Sequence, residues 1–135
     1  MSLAVVTFPE ALHIIGRLFN TDQPQKLVRD SALLLSALDR QSASMFGQEA
    51  YPGIHHKAAA LLHGLTKNHS LFDGNKRLAL VTTLYLYAKN GYWNTTDIEA
   101  EYDFMLAVAS DEIDSIDEIA TWLSARFVAT DRSSG

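Results

Sequence analysis

The side chains best suited to chemistry are concentrated in one nine-residue segment, residues 69–77, which reads HSLFDGNKR. Imidazole exchanges protons near neutral pH, so His69 can act as a general base toward a hydroxyl group. Asp73 follows four residues later and is a hard oxygen donor, the kind of ligand that Mg²⁺ takes when it is shared with substrate phosphates. The segment therefore predicts His69 as the catalytic residue and Asp73 as the metal ligand.

The second half of the segment predicts a phosphate-binding site. A new helix pattern begins near Asn75, and the unpaired backbone N–H groups of a first helical turn attract anions together with the helix dipole. Gly74 lets the backbone approach a ligand closely, while Lys76 and Arg77 add two positive charges suited to a polyphosphate. We therefore expect Gly74, Asn75, Lys76 and Arg77 to bind a nucleotide, with phosphoryl or nucleotidyl transfer to an alcohol as the chemistry.

These residues also admit a purely structural interpretation. Asp73 could cap a helix, Asn75 could form a turn and Gly74 could relieve its strain. This interpretation does not account for Lys76 and Arg77, since two cations at a helix N-terminus oppose the dipole and cost a few tenths of a kcal/mol unless an anion balances them. The set as a whole favours function. It is not a Walker loop, because no GxxxxGK[ST] pattern occurs in the chain.

Composition limits the class of protein. With 135 residues and 47% hydrophobic content, we expect one domain over residues 1–128 and a disordered tail over residues 129–135. The net charge of −5 argues against direct binding of nucleic acid. No cysteine, no secretory signal and no apolar run of roughly 18 residues is present, so a cytoplasmic protein without membrane contact is expected.

Helix signals recur along the chain and strand signals are nearly absent, which predicts an all-α fold, a compact bundle of about six helices. Helices are expected to begin at Thr7, Asp30, Ile54, Asn75, Thr96 and Ser115. Thr7 and Glu10 have the spacing of a capping box, and Asn90-Gly91 is expected to stop the fourth helix. Their predicted inward-facing stripes include Leu34, Leu35 and Leu38 in the second helix, Ile54, Ala58, Leu61, Leu62 and Leu65 in the third, Ile98, Tyr102, Met105 and Ala109 in the fifth, and Ile116, Ile119, Leu123 and Phe127 in the last. Residues 41–53 show no periodicity and are expected to be irregular.

A second metal site is an alternative interpretation of His55, His56 and His63, since His56 and His63 are seven residues apart and share a helix face. No carboxylate or cysteine completes a recognisable ligand set, and the HExxH pattern is missing. Ordinary, partly exposed histidines are the favoured interpretation.

The segment HSLFDGNKR resembles the signature of the Fic/Doc family, HxFx(D/E)GN(G/K)R. With Lys76 it is most similar to the death-on-curing toxin branch of that family, in which lysine replaces the more common glycine. The likeness extends over roughly residues 28–92. Leu71 stands where the family usually has phenylalanine, so a weaker apolar anchor of the loop is expected.

The resemblance implies a Fic-like helical fold in which His69 is the catalytic base, Asp73 orients Mg²⁺ and residues 74–77 hold the phosphates of ATP. It implies the toxin of a toxin–antitoxin system, which transfers the γ-phosphate of ATP to a hydroxyl of elongation factor Tu and so blocks protein synthesis. Residues 42–53 would correspond to the flap that aligns the target.

Two alternatives stay open at this point. A protein adenylyltransferase would use the same residues, because spacing alone does not show which phosphorus faces His69. An inactive Fic-fold binding module would keep the scaffold without catalysis. The self-inhibitory pattern [S/T]xxxE[G/N] of many Fic enzymes is absent from the chain, so the resemblance implies control by a partner, a cognate Phd-like antitoxin.

Overall fold

Five α-helices with defined bounds are the main elements of the part of the chain that the computed structural model describes, residues 3–95, 103, 104, 107, 108, 110 and 112–129. The helices are α1 (Phe8–Leu18), α2 (Ser31–Asp39), α3 (Ile54–Asn68), α4 (Asn75–Lys89) and α5 (Ile116–Ser124), with 3₁₀ turns at Pro24–Leu27 and Arg40–Ser42. The predicted helical fold is confirmed. The helix expected to begin at Thr96 falls largely outside the described residues, as does the expected tail apart from Ala129.

The core is built around α3, which packs against α2, α4 and α5. Its predicted stripe is buried as expected, with Ile54, Ala58, Leu61, Leu62 and Leu65 all among the core residues. Small side chains at residues 58–60 are fully buried and let neighbouring helices approach closely. The C-terminal end of this packed helix leads directly into the motif segment. None of the described helices is long and apolar enough to cross a membrane.

The helix ends follow the predicted capping signals. Thr7 and Glu10 form a complete capping box on α1, and the Asp30 carboxylate accepts hydrogen bonds from the first turn of α2. Ser115 caps α5 by accepting from the backbone N–H of Glu118. At the end of α4, Gly91 adopts the left-handed conformation expected of a helix stop, with φ +79°.

The N-terminal segment is fastened to the last turn of α4. The Asn90 side chain accepts a 2.8 Å hydrogen bond from the N–H of Ala4 and donates one of 2.8 Å to the Ala4 carbonyl. The Lys89 ammonium donates to the carbonyl of Val5 and to the carboxylate of Glu10. These bonds hold the start of α1 against α4, the helix that begins inside the motif.

One predicted core position was wrong, and one core residue was assigned to the wrong element. Leu35 is 43% exposed, because the nine-residue helix α2 contacts its neighbours only through the face that carries Leu34, Ala37 and Leu38. Phe127 is buried, but not on a helix: α5 ends at Ser124 and Phe127 begins a strand, where its ring stacks on that of Tyr87 at 3.9 Å. Residues 119, 123 and 127 are spaced four apart, as on one face of a helix, although the helix ends before residue 127.

Two pairs of short strands, which the all-α prediction did not include, are present among the described residues. β3 (Tyr92–Asn94) pairs antiparallel with β4 (Phe127–Ala129), with Trp93 opposite Val128. β1 (Ser44–Met45) and β2 (Gln48–Glu49) form a hairpin inside the segment expected to be irregular. Its two turn residues, Phe46 and Gly47, have φ values of +55° and +80°, as a type I′ turn requires. A phenylalanine at such a position gives no turn signal in the sequence.

Candidate active site

The motif segment forms the connection between α3 and α4. His69 follows the last residue of α3 and is left-handed, with φ 52° and ψ 49°. Gly74 precedes the first residue of α4 and is also left-handed, with φ 86° and ψ 18°. The six predicted site residues therefore lie on this loop and on the first turn of α4, between two helices of the core.

Backbone hydrogen bonds attach the loop to the segment that precedes α2. Val28 and Leu71 form an isolated antiparallel bridge, and the N–H of Phe72 donates to the carbonyl of Leu27 at 3.3 Å. The Leu71 side chain is buried, with 1% of its surface exposed. Leucine packs less surface than phenylalanine would, but the loop does not depend on this side chain alone. Hydrogen bonds of its main chain hold it as well.

The Asn75 side chain closes the loop from within. Its Oδ1 accepts from the N–H of Leu71 at 2.9 Å, and its Nδ2 donates to the Leu71 carbonyl at 3.1 Å. The sequence suggested a phosphate contact for Asn75 and gave no sign of this bridge. The side chain fixes the loop onto the first turn of α4, and the backbone N–H of Asn75 is the group it can offer to an anion.

Asp73 is exposed, and its Oδ1 accepts a 2.8 Å hydrogen bond from the N–H of Gly74. The residue at the N-cap of α4 is Gly74, so the alternative role of Asp73 as the cap of that helix is wrong. Among the described residues, no group of three or more His, Cys, Asp or Glu side chains could hold a metal. A single exposed carboxylate fits Mg²⁺ that takes its other ligands from water and substrate phosphates.

The start of α4 has the character of an anion site. Its N-cap is a glycine, which has no side chain to bind the N–H groups of the first turn, and the side chains of Lys76 and Arg77 are exposed. The Arg77 guanidinium lies 5.8 Å from the centre of the Phe19 ring. Two cations at the positive end of a helix dipole fit a bound polyphosphate, which would balance both.

The His69 imidazole is exposed, and no described residue forms a hydrogen bond or ion pair with it. Its main chain is held instead: the Arg29 guanidinium donates to the His69 carbonyl through Nε at 3.0 Å and Nη2 at 2.6 Å. A free imidazole on a fixed backbone is available to accept a proton from an incoming hydroxyl. Arg29 was not among the predicted site residues, since it lies 40 positions away in the sequence.

The three histidines of α3 each contact a different partner. His56 Nε2 lies 2.9 Å from Asp117, and His63 Nε2 lies 3.0 Å from Asp114. His55 Nδ1 lies 2.9 Å from the hydroxyl of Tyr87, and burial, followed by the proximity of His56, lowers the pKa of His55. These contacts tie α3 to α4, to α5 and to the turn before α5, which accounts for the histidines structurally.

The geometry defines a class of protein: a helical domain with a candidate phosphate-transfer site in the loop between two core helices. The sequence model of the Fic/DOC family matches residues 6–87, which include α1 to α4 up to Tyr87 and the whole motif segment, and the chain belongs to this family. The chain is also 40% identical over 99 residues to Toxin Doc of Mycolicibacterium smegmatis (strain ATCC 700084 / mc(2)155), an alignment that covers 72% of this chain and 75% of the relative. The resemblance noted from the motif is confirmed.

Proposed function

We propose that the protein is the toxin of a toxin–antitoxin system, a kinase that transfers the γ-phosphate of ATP to a hydroxyl of elongation factor Tu and thereby blocks protein synthesis. The observation that carries this proposal is the motif geometry, in which an exposed His69 precedes a glycine-capped helix start bearing Lys76 and Arg77. The 40% identity to a protein named Toxin Doc supports the toxin assignment.

In the proposed reaction, His69 accepts the proton of the target hydroxyl as its oxygen forms a bond to the γ-phosphorus. The bond between the γ-phosphorus and the β,γ-bridging oxygen breaks, and ADP leaves with the electron pair. Lys76, Arg77 and the first N–H groups of α4 hold the phosphates and stabilise the charge on them. Asp73 would hold Mg²⁺, which when bound neutralises part of the phosphate charge.

The proposed partner is a cognate Phd-like antitoxin. The chain lacks the glutamate-bearing pattern with which many Fic enzymes inhibit themselves, so inhibition would have to come from a second protein. Direct binding of nucleic acid by this chain is not part of the proposal, because the net charge is −5.

The test is transfer of label to purified elongation factor Tu in the presence of Mg²⁺, with γ-³²P-ATP and α-³²P-ATP in parallel. We expect label from the γ position only, and none with His69→Ala or after chelation of Mg²⁺. His13→Ala is the matched control, since His13 is an exposed histidine on α1. It should label the factor at the wild-type rate.

Each other outcome has a defined meaning. Label from the α position would overturn the kinase in favour of an adenylyltransferase. Absence of label from both positions, together with absence of ATP binding and normal growth of cells that produce the protein without a partner, would favour an inactive binding module.

A further inference from the structure

We propose that Arg29 is a positioning residue for His69, which it holds in the left-handed conformation that directs the imidazole. This inference deepens the proposed function and rests on it for the catalytic role of His69. The evidence is the pair of hydrogen bonds from Nε and Nη2 of Arg29 to one acceptor, the carbonyl oxygen of His69. Two donors of one planar guanidinium fix both the position and the direction of that carbonyl.

The backbone conformation of His69 is one that an external restraint helps to maintain. Left-handed φ values are uncommon for residues other than glycine, although histidine adopts them more often than most, as asparagine and aspartate do, and they persist where the surroundings impose them. Three described non-glycine residues have positive φ: Asn20, Phe46 and His69. Asparagine tolerates this conformation, and Phe46 lies in a tight hairpin turn that requires it. At His69 the restraint comes from another part of the chain.

The neighbours of His69 are tied to the same segment as its carbonyl. The carbonyl of Ser70 accepts from the backbone N–H groups of Arg29 at 2.8 Å and of Asp30 at 3.1 Å. On the other side, the Asn68 side chain donates to the carbonyl of Leu33 at 3.0 Å. Residues 68, 69 and 70 are thus each bound to residues 29–33, and at His69 the bond is made by the Arg29 side chain.

The Arg29 contact acts on the backbone of His69, the residue that carries the imidazole. The ring is exposed and has no hydrogen-bond partner among the residues that the structure describes. The φ and ψ of His69 set the direction of its Cα–Cβ bond, and thereby the region that the ring can reach. Removing the guanidinium would leave the backbone bonds at Ser70 in place and free the peptide that follows His69, so the base would lose its alignment while the loop stays attached.

The experiment compares Arg29→Ala and Arg29→Lys with the matched control Lys26→Ala, which removes an exposed cation from the 3₁₀ turn just before Arg29. For Arg29→Ala we expect kcat to fall roughly 10- to 100-fold while KM for ATP stays within about twofold, because a misplaced base slows chemistry without weakening nucleotide binding. Arg29→Lys should fall in between, and added guanidinium ion should restore part of the activity of Arg29→Ala. Lys26→Ala should match the wild type.

A second measurement does not depend on activity. In a ¹H–¹³C NMR spectrum of the free protein, the ring signal of His69, assigned by its loss in His69→Ala, should shift or broaden in Arg29→Ala. The signals of His55, His56 and His63 on α3 should remain in place, which also shows that Arg29→Ala is folded. If Arg29→Ala does not fold, Arg29→Lys gives the same comparison.

An unchanged kcat with an unchanged His69 signal would overturn the positioning role. A rise in KM for ATP at constant kcat would also overturn it, since Arg29 would then act on the nucleotide. Failure of the proposed function looks different: the wild type itself would transfer no γ-phosphate, or would do so independently of His69, whatever the NMR comparison shows.

Discussion

The ring of Phe19 lies against the backbone of Gly74, so that a β-carbon on residue 74 would come within 2.3 Å of the ring's Cζ. Phe19 follows the last residue of α1, and its ring also lies below the guanidinium of Arg77 at 5.8 Å. One aromatic side chain thus connects α1 with the start of α4. Two features favour glycine at position 74: its φ of +86°, and the Phe19 ring, which leaves no space for a β-carbon.

We predict that Gly74→Ala lowers the free energy of unfolding by about 2 to 4 kcal/mol, since a left-handed alanine and a steric clash both add to the cost. Gly91→Ala is the matched control, because Gly91 has a φ of +79° and nothing within 4 Å of its added β-carbon. It should lose only about 1 to 2 kcal/mol. Urea denaturation of both variants measures the difference, and equal losses would show that Phe19 does not restrict residue 74.

Lys76 should affect stability and binding in opposite directions. In the free protein its charge opposes the dipole of α4, so Lys76→Ala should raise the free energy of unfolding by about 0.3 to 1 kcal/mol. The same variant should weaken the binding of ATP with Mg²⁺ by roughly 10-fold or more, because it loses a charge-assisted contact with phosphate. Calorimetry and urea denaturation measure the two effects.

Lys26→Ala serves as the control, since Lys26 is an exposed lysine away from the start of α4. It should change neither quantity appreciably. A Lys76→Ala variant that binds ATP as tightly as the wild type would contradict an anion site at this helix N-terminus.

Glu10 should make stability depend on pH in acid. Partial burial acts to raise the pKa of Glu10, but hydrogen bonds from Lys89, Tyr85 and Thr7 outweigh it and lower the pKa from 4.5 to about 2. Because the folded pKa lies below the unfolded one, this stabilisation is present above pH 4.5 and is lost as the pH falls toward 2. With 27% of the side chain exposed, solvent screening reduces the contribution to about 1 to 2 kcal/mol.

The measurement is the free energy of unfolding of wild type and Glu10→Gln between pH 7 and pH 2. The wild type should be more stable at pH 7, and the gap should close as the pH drops below 4.5. A gap that stays constant over this range would contradict the ionic role of Glu10 at the junction of α1 and α4.

The motif and the helix starts could be predicted from the sequence, because both depend on residues close together in the chain. The capping box of Thr7 and Glu10 and the helix stop at Gly91 are local signals, and the structure confirms them. The family was identifiable from residues 69–77 for the same reason, since the motif is a continuous segment.

The tertiary structure decided what depends on distant partners. Phe127 lies in a strand because it pairs with β3 and its ring stacks on that of Tyr87. The spacing of apolar residues in the sequence does not reveal either contact. The Asn75 side chain forms two hydrogen bonds with the backbone of Leu71, because the loop folds back over the first turn of α4. The sequence by itself determined which groups could perform the chemistry, whereas contacts such as that of Arg29 with His69, 40 residues apart, decide how those groups are held.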